Sequence, residues 1–213
     1  MTTSREFYRR HLPHWQPQDA IFFITFRLKG TLPQSARPSD GTKTRPDLRR
    51  AQMLGGRQPE TVDYLDAKGD FVQWDTRVLG AAAGPRWLLT PEVAEIVVEA
   101  LHHRDGREHR LYAFCVMPNH VHAVFGGLRT QNENAGALSQ VLQSLKRHTA
   151  RHANLVLGRD GPFWQDESYD HVIRDSDEPQ RTVSYVLENP VKAGLVSKWQ
   201  QWRWSYSRPD PVK

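Results

Sequence analysis

The stretch FCVMPNHVHAVF, residues 114–125, decides the fold. Val121, Ala123, Val124 and Phe125 form an apolar run that reads as a buried strand, and in a strand residues i and i+2 point to the same face. His120 and His122 therefore stand side by side. At about 3.3 Å of rise per residue their imidazoles can converge on one ion, and imidazole is a common ligand of divalent metals. Met117-Pro118-Asn119 reads as a turn that brings the strand edge to an opening. In a chain with 10 histidines an H-x-H triplet is weak by itself, so the surrounding sequence has to supply the context.

Immediately upstream, residues 110–116 (RLYAFCV) read as a strand that pairs with the histidine strand in a hairpin across the Pro118-Asn119 turn. Further upstream, Thr90 as N-cap and Pro91 at the first helical position open an amphipathic helix. Val93, Ile96, Val97, Ala100 and Leu101 recur along it at helical spacing, and it ends near His103. The strongest strand covers 20–28 (AIFFITFRL), apolar on both faces except for Thr25 and Arg27, as a central strand would be. Downstream of a polar loop over 126–136, Leu138, Val141, Leu142 and Leu145 predict a second helix. Its other side carries Lys146, Arg147, His148, Arg151 and His152. Residues 169–174 (YDHVIR) read as a fourth, short strand, and a third helix starts after Asp175 or Ser176 and runs to about Glu188. This order predicts an α+β fold, an antiparallel β-sheet with helices packed on it.

The remaining segments are polar. Residues 5–19 read as an irregular basic and aromatic N-terminal arm, and 29–86 as a long Gly-, Pro- and charge-rich insertion. A single domain over 1–213, with a tail over about 190–213, is the expected organisation, and 213 residues suffice for a real core. The net charge of +5 and a pI near 9.5 favour a polyanionic partner, although a plain basic surface gives the same totals. Cys115 is the one cysteine, so no intrachain disulfide can form. With no apolar run long enough for a membrane span and no signal-peptide pattern, the expected location is the cytoplasm.

On a helical wheel of the third helix, Val183, Val186 and Leu187 cluster on one side, and Tyr185 and Asn189 fall together roughly opposite. Pro190 disfavours α geometry at the residue before it, so the helix is expected to end at Asn189, with that side chain reaching outward. A tyrosine and a hard oxygen ligand presented together, beside a histidine pair, suit phosphodiester cleavage. The plainer reading is a surface tyrosine and a helix-ending asparagine. Tyr112 and Tyr169 lie in strand patterns, where core roles are the default, and Tyr206 lies in the tail. His148 and His152 are also spaced i, i+4, but without the glutamate of the metalloprotease pattern they read as a solvated basic face.

Four motifs in order, VMPNHVHAVF, SLKRHTARHAN, FWQDESYDHVIRD and SYVLENPVKAGLV, resemble the IS200-like Y1 transposases, and most of all the REP-associated tyrosine transposases. The opening RRHLPHWQPQDAIFFITFRL is similar too, so the resemblance covers about residues 5–30 and 85–206. It implies a ferredoxin-like core with an HUH metal motif at His120 and His122, a nucleophilic tyrosine at Tyr185 and a third metal ligand at Asn189. It also implies Mg²⁺ or Mn²⁺ as cofactor and single-stranded or hairpin DNA as partner, typically a repetitive extragenic palindrome. The implied reaction is nicking and joining through a 5′-phosphotyrosine, with the protein acting at the nucleoid as a monomer or homodimer. Phosphate contacts are expected from Arg9, Arg10, Lys146, Arg147, Arg151 and Lys192, and base stacking is open to Trp164, Trp199, Trp202 and Trp204. The rival reading is a hairpin-DNA-binding regulator that leaves its active site unused.

Overall fold

A computed structural model of the chain describes residues 7–9, 13–15, 20–31, 84–107, 109–126, 138–166, 168–173 and 178–210. The chain divides into two compact units, residues 1–29 with 85–213, and residues 30–84. In the first, the strands β1 (Phe7–Arg9) and β2 (Pro13–Trp15) pair antiparallel, where the sequence suggests an irregular arm. There follow β3 (Ile21–Arg27), a 3-10 turn at Trp87–Leu89, helix α1 (Pro91–Arg104), β4 (Arg110–Met117) and β5 (His120–Gly126). Helix α2 (Leu138–Val156), β6 (Tyr169–Ile173), helix α3 (Glu178–Lys192), a second 3-10 turn at Trp199–Gln201 and β7 (Ser205–Ser207) complete the described elements. Arg10, Arg174, Asp175 and Ser176 lie outside the described residues, as does nearly all of the polar segment over 29–86. Among the described residues no helix is long and apolar enough to cross a membrane.

Five strands form one antiparallel sheet in the order β6-β3-β5-β4-β7. The hairpin and the central position of the 20–28 strand are as the sequence predicts. The register explains how the sheet comes to have two unlike faces. Phe22, Ile24 and Phe26 of β3, Leu111, Phe114 and Val116 of β4, and Val121, Ala123 and Phe125 of β5 share one core. That core also holds Val93, Val97 and Leu101 of α1 with Leu138, Leu142 and Leu145 of α2. Burying so many large apolar side chains, at roughly 1.5–3 kcal/mol each, is what fixes the register.

On the alternate positions, Thr25 stands opposite His122 and Tyr169, Arg27 opposite His120, Cys115 opposite His122, and Met117 opposite His120. Directly opposed residues share a face, so polar side chains of β3, β5 and β6 meet there, with Cys115 and Met117 of β4 beside them. Helix α3 packs over this face against β4 and β5.

Helix α3 does not stop before Pro190. It runs on to Lys192, with Pro190 inside it and buried together with Val183, Val186 and Leu187. The Ala193 N–H donates to the Asn189 carbonyl and the Leu195 N–H to that of Pro190, which continue the turn. Burial of the Pro190 ring outweighs the steric bias at the residue before it. The strand β7 is also unexpected: it docks the tail beside β4, where Val116 N–H donates to the Trp204 carbonyl. Ser-Tyr-Ser is too short and too polar to carry a periodicity from which to read a strand.

His109, just before β4, has a consequence for pH. It is 3% exposed, its ring lies 4.3 Å from that of Phe125, and neither ring nitrogen finds a hydrogen-bond partner among the described residues. Burial pushes its pKa down to about 4, with Asp105 opposing and Arg104 adding to the shift. A folded pKa below the unfolded one leaves stability intact above about pH 6.5 and erodes it as pH falls towards 4. The loss from this residue is about 2 kcal/mol at pH 5. Urea titrations of wild type and His109→Phe should show a smaller acid loss in the variant; equal losses would clear His109 of this role.

Candidate active site

His120 and His122 occupy the first and third positions of β5, 1% and 0% exposed. Their Nε2 atoms are 3.0 Å apart and their rings are nearly perpendicular, 77° between planes. Each ring is steered from behind. His120 Nδ1–H donates to Asn119 Oδ1 at 2.6 Å, which leaves the Nε2 lone pair pointing at the neighbour. His122 Nδ1 is joined to Thr25 Oγ1 at 2.7 Å. A hydroxyl can donate or accept, so Thr25 can serve either tautomer of His122. Burial, then the charges of Arg27 and His122, hold His120 well below the ordinary histidine range, so it is a neutral imidazole at pH 7.

Helix α3 brings Tyr185 to the pair. Its ring is 5.8 Å from that of His122 and 5.9 Å from that of Phe23, edge-on to both, while Phe23 stacks on His122 at 5.6 Å. Lys192, two turns on, holds its ammonium 4.6 Å from the Tyr185 ring centre. Asn189 is 1% exposed rather than reaching outward. Its Nδ2 donates to the Tyr185 carbonyl at 2.8 Å and lies 3.5 Å from that of Val186. Asn189 Oδ1 is buried with no hydrogen-bond partner among the described residues, a costly state for an amide oxygen unless something else satisfies it. Among the described residues no three His, Cys, Asp or Glu gather as a metal cluster.

Other predicted residues fall elsewhere. The Lys146 ammonium donates to the Gln165 and Asp166 carbonyls and to Ser168 Oγ, tying α2 to the segment before β6. Arg147 and Arg151 are exposed on α2. Arg9 lies in β1. Trp164 and Trp204 are core residues, 5% and 8% exposed, and Trp164 Nε1–H donates to Thr149 Oγ1; neither offers a face to a base. Trp199 and Trp202 are half-buried, and Trp202 Nε1–H donates to the Val116 carbonyl. Tyr112 is buried, and Tyr206 stacks on Phe114. Burial pushes the Cys115 thiol up to about 12, which removes it as a thiolate at neutral pH. The sequence reading missed Asn119 and Thr25 as supports of the pair. The available signal was a polar residue within an otherwise apolar central strand.

Fold and site together define an α+β domain in which a histidine pair on a central strand faces a tyrosine-bearing helix. No protein-family profile matches the chain. The REP-associated tyrosine transposase of Escherichia coli K12 is 25% identical over 110 residues, 52% of this chain and 61% of that protein. A Haemophilus influenzae protein that carries the same family name is 24% identical over 98 residues, 44% of this chain and 56% of that one. The matched regions thus span less than two thirds of either relative. A solved structure of a REP-associated tyrosine transposase bound to a REP hairpin shares the fold, with a TM-score of 0.50 at 16% identity over 93% of this chain and 80% of that one. The resemblance read from the four motifs is borne out by these relatives, and the α+β fold by the solved structure.

Proposed function

We propose that the protein is a metal-dependent endonuclease and strand transferase acting on single-stranded DNA next to a REP-type hairpin, through a covalent 5′-phosphotyrosine at Tyr185. The observation that carries this reading is the packing of the Tyr185 ring against His122, 5.8 Å between centroids, beside an Nε2 pair 3.0 Å apart. The relatives named for tyrosine transposases, one of them bound to a REP hairpin, supply the DNA class.

The donor set fits a small, hard divalent ion, Mg²⁺ or Mn²⁺, held by His120, His122 and Asn189. Two neutral imidazoles and an amide oxygen, with room left for water, would suit such an ion better than a closed four-ligand zinc site. The unpartnered, buried Asn189 oxygen agrees with a ligand role. When bound, such an ion supplies positive charge that polarises the scissile phosphate and eases departure of the 3′ oxygen. The protein's own part is positional. Tyr185 gives up its phenol proton and attacks phosphorus through that oxygen, the new O–P bond replaces the P–O3′ bond, and the departing 3′ oxygen takes up one proton to leave as a hydroxyl, so the net proton count is unchanged. Lys192, against the Tyr185 ring, stabilises negative charge as it develops on the attacking oxygen. Arg9, Arg10, Arg147 and Arg151 neutralise DNA phosphates, and Lys146 orders the segment leading into β6.

Thr25 and Asn119 set the direction of the imidazole lone pairs, so Thr25→Val and Asn119→Ala should each weaken Mn²⁺ binding about 10- to 100-fold. Thr25→Ser, which keeps the hydroxyl, should stay near wild type. Calorimetric Mn²⁺ titration checks this; a Val variant binding as well as the Ser variant would deny Thr25 its part. The reaction itself is tested by incubating the protein with end-labelled hairpin DNA carrying single-stranded flanks, in Mn²⁺ or in EDTA, followed by denaturing gels. A metal-dependent protein–DNA adduct is the expected product. Tight binding without adduct or cleavage would favour a binding regulator.

A further inference from the structure

The tyrosine helix is tied to the sheet by a buried polar contact two turns before its nucleophile. His171 of β6 and Glu178, the first residue of α3, meet at 3.0 Å between Nε2 and Oε1, with side chains 11% and 6% exposed. The carboxylate accepts from the Nε2–H of His171, and it lies at the positive end of the helix dipole, where negative charge is favoured. His171 stands opposite Phe23 of β3 in the sheet register, and directly opposed residues share a face. Phe23 is the residue whose ring stacks on His122 and meets Tyr185 edge-on. The contact therefore borders the candidate site from the β6 side.

Glu178, Tyr185 and Asn189 follow one another along α3 at i, i+7 and i+11, which at about 100° per residue puts all three on one stripe. A rotation or slide of the helix would thus displace the phenol and the amide together. Val183, Val186, Leu187 and Pro190 are buried beneath α3, but apolar burial is non-directional and tolerates small rotations. A buried hydrogen bond does not, because it weakens steeply off its angle and then leaves a carboxylate unsatisfied.

We propose that the His171–Glu178 pair is a positioning device for the reaction: it fixes the rotation and axial setting of α3, and through them the aim of the Tyr185 phenol at phosphorus and of the Asn189 oxygen at the metal. The inference rests on the DNA-cleaving reading above and gives a part in it to two further residues. Both are positioning residues, since they act through the helix and not on the substrate.

The test compares wild type with two variants. His171→Gln keeps an N–H donor near the position of Nε2. The double variant, His171→Leu with Glu178→Leu, replaces both partners by apolar side chains and so leaves no buried charge alone. Its melting curve should stay close to that of wild type. The single-turnover rate of adduct formation at saturating hairpin DNA should nevertheless fall about 10- to 100-fold, the cost of a misaimed nucleophile, while DNA affinity in EDTA is unchanged. Mn²⁺ should bind less tightly, by no more than Asn189→Ala costs, and amide hydrogen exchange should quicken in peptides of α3 but not in those of β4 and β5. His171→Gln should match wild type in each of these. A double variant with the wild-type rate would overturn the proposal, as would a His171→Gln protein that loses as much rate as the double variant. A rate that fell only in step with the melting temperature would reduce the pair to a stabilising contact and overturn it as well. If wild type formed no adduct, the reaction reading alone would fall. The pair would then be judged by Mn²⁺ affinity and α3 exchange, where a double variant equal to wild type would overturn it.

Discussion

Tyr185→Phe is expected to lower covalent capture of hairpin DNA by on the order of 10⁴-fold or more, about 5.5 kcal/mol of transition-state stabilisation, because no other group supplies the bond to phosphorus. The substitution removes one oxygen and keeps the ring. Phe23 and His122 contact that ring edge-on, so both contacts survive and the fold should be preserved. DNA affinity should also hold, since the phosphate contacts lie elsewhere. Single-turnover assays with end-labelled DNA, run beside a melting curve, separate the two effects. If strand cleavage continued at the wild-type rate, attack would belong to water and Tyr185 would be reduced to packing against His122 and Phe23.

The second large effect is expected at the histidine pair. His120→Leu should weaken Mn²⁺ binding at least about 100-fold, as removal of a direct ligand exceeds the usual effect of removing a supporting hydrogen bond. The apo protein should lose about 1–3 kcal/mol, because the buried Nε2 of His122 is left without its 3.0 Å partner, whereas Asn119 is only half-buried and can turn to water. Asn189→Ala should also weaken the ion, by a smaller factor, since the two imidazoles remain. Isothermal titration with Mn²⁺, together with the rise in melting temperature that the ion confers, reads both variants. A His120→Leu protein that still gained full thermal stabilisation from Mn²⁺ would refute the pair as the metal site.

Strong periodicity made the sheet legible. The β4-β5 hairpin, the central β3 and the Thr90-Pro91 start of α1 were readable because apolar alternation, a Pro-Asn turn and a proline at the first helical position each act within a few residues. Tyr185 and the histidines could be singled out because spacing alone puts each on a defined face. The parts that could not be read depend on contacts distant in sequence. Thr25 supports His122 only because β3 and β5 pair in one register out of several. The burial of Asn189 and the passage of α3 through Pro190 follow from docking on the sheet, which local steric preference does not anticipate. Cationic residues on α2 could be counted, but only the fold separates Lys146, bound to the segment before β6, from Arg147 and Arg151 on the outside.

Pro190 has an effect on its neighbour that reaches the chemistry. A proline nitrogen has no hydrogen to give, so the Val186 carbonyl one turn earlier loses its regular backbone donor. The Asn189 amide nitrogen lies within 3.5 Å of that oxygen while it bonds the Tyr185 carbonyl. A side-chain amide is nearly symmetric in shape, and turning it over would exchange a donor for an acceptor. Here two backbone oxygens hold the nitrogen end, and an inverted amide would set oxygen against oxygen. The proline thus works as a key for its neighbour: it keeps one end of the Asn189 amide locked to the helix and leaves only the oxygen to be offered.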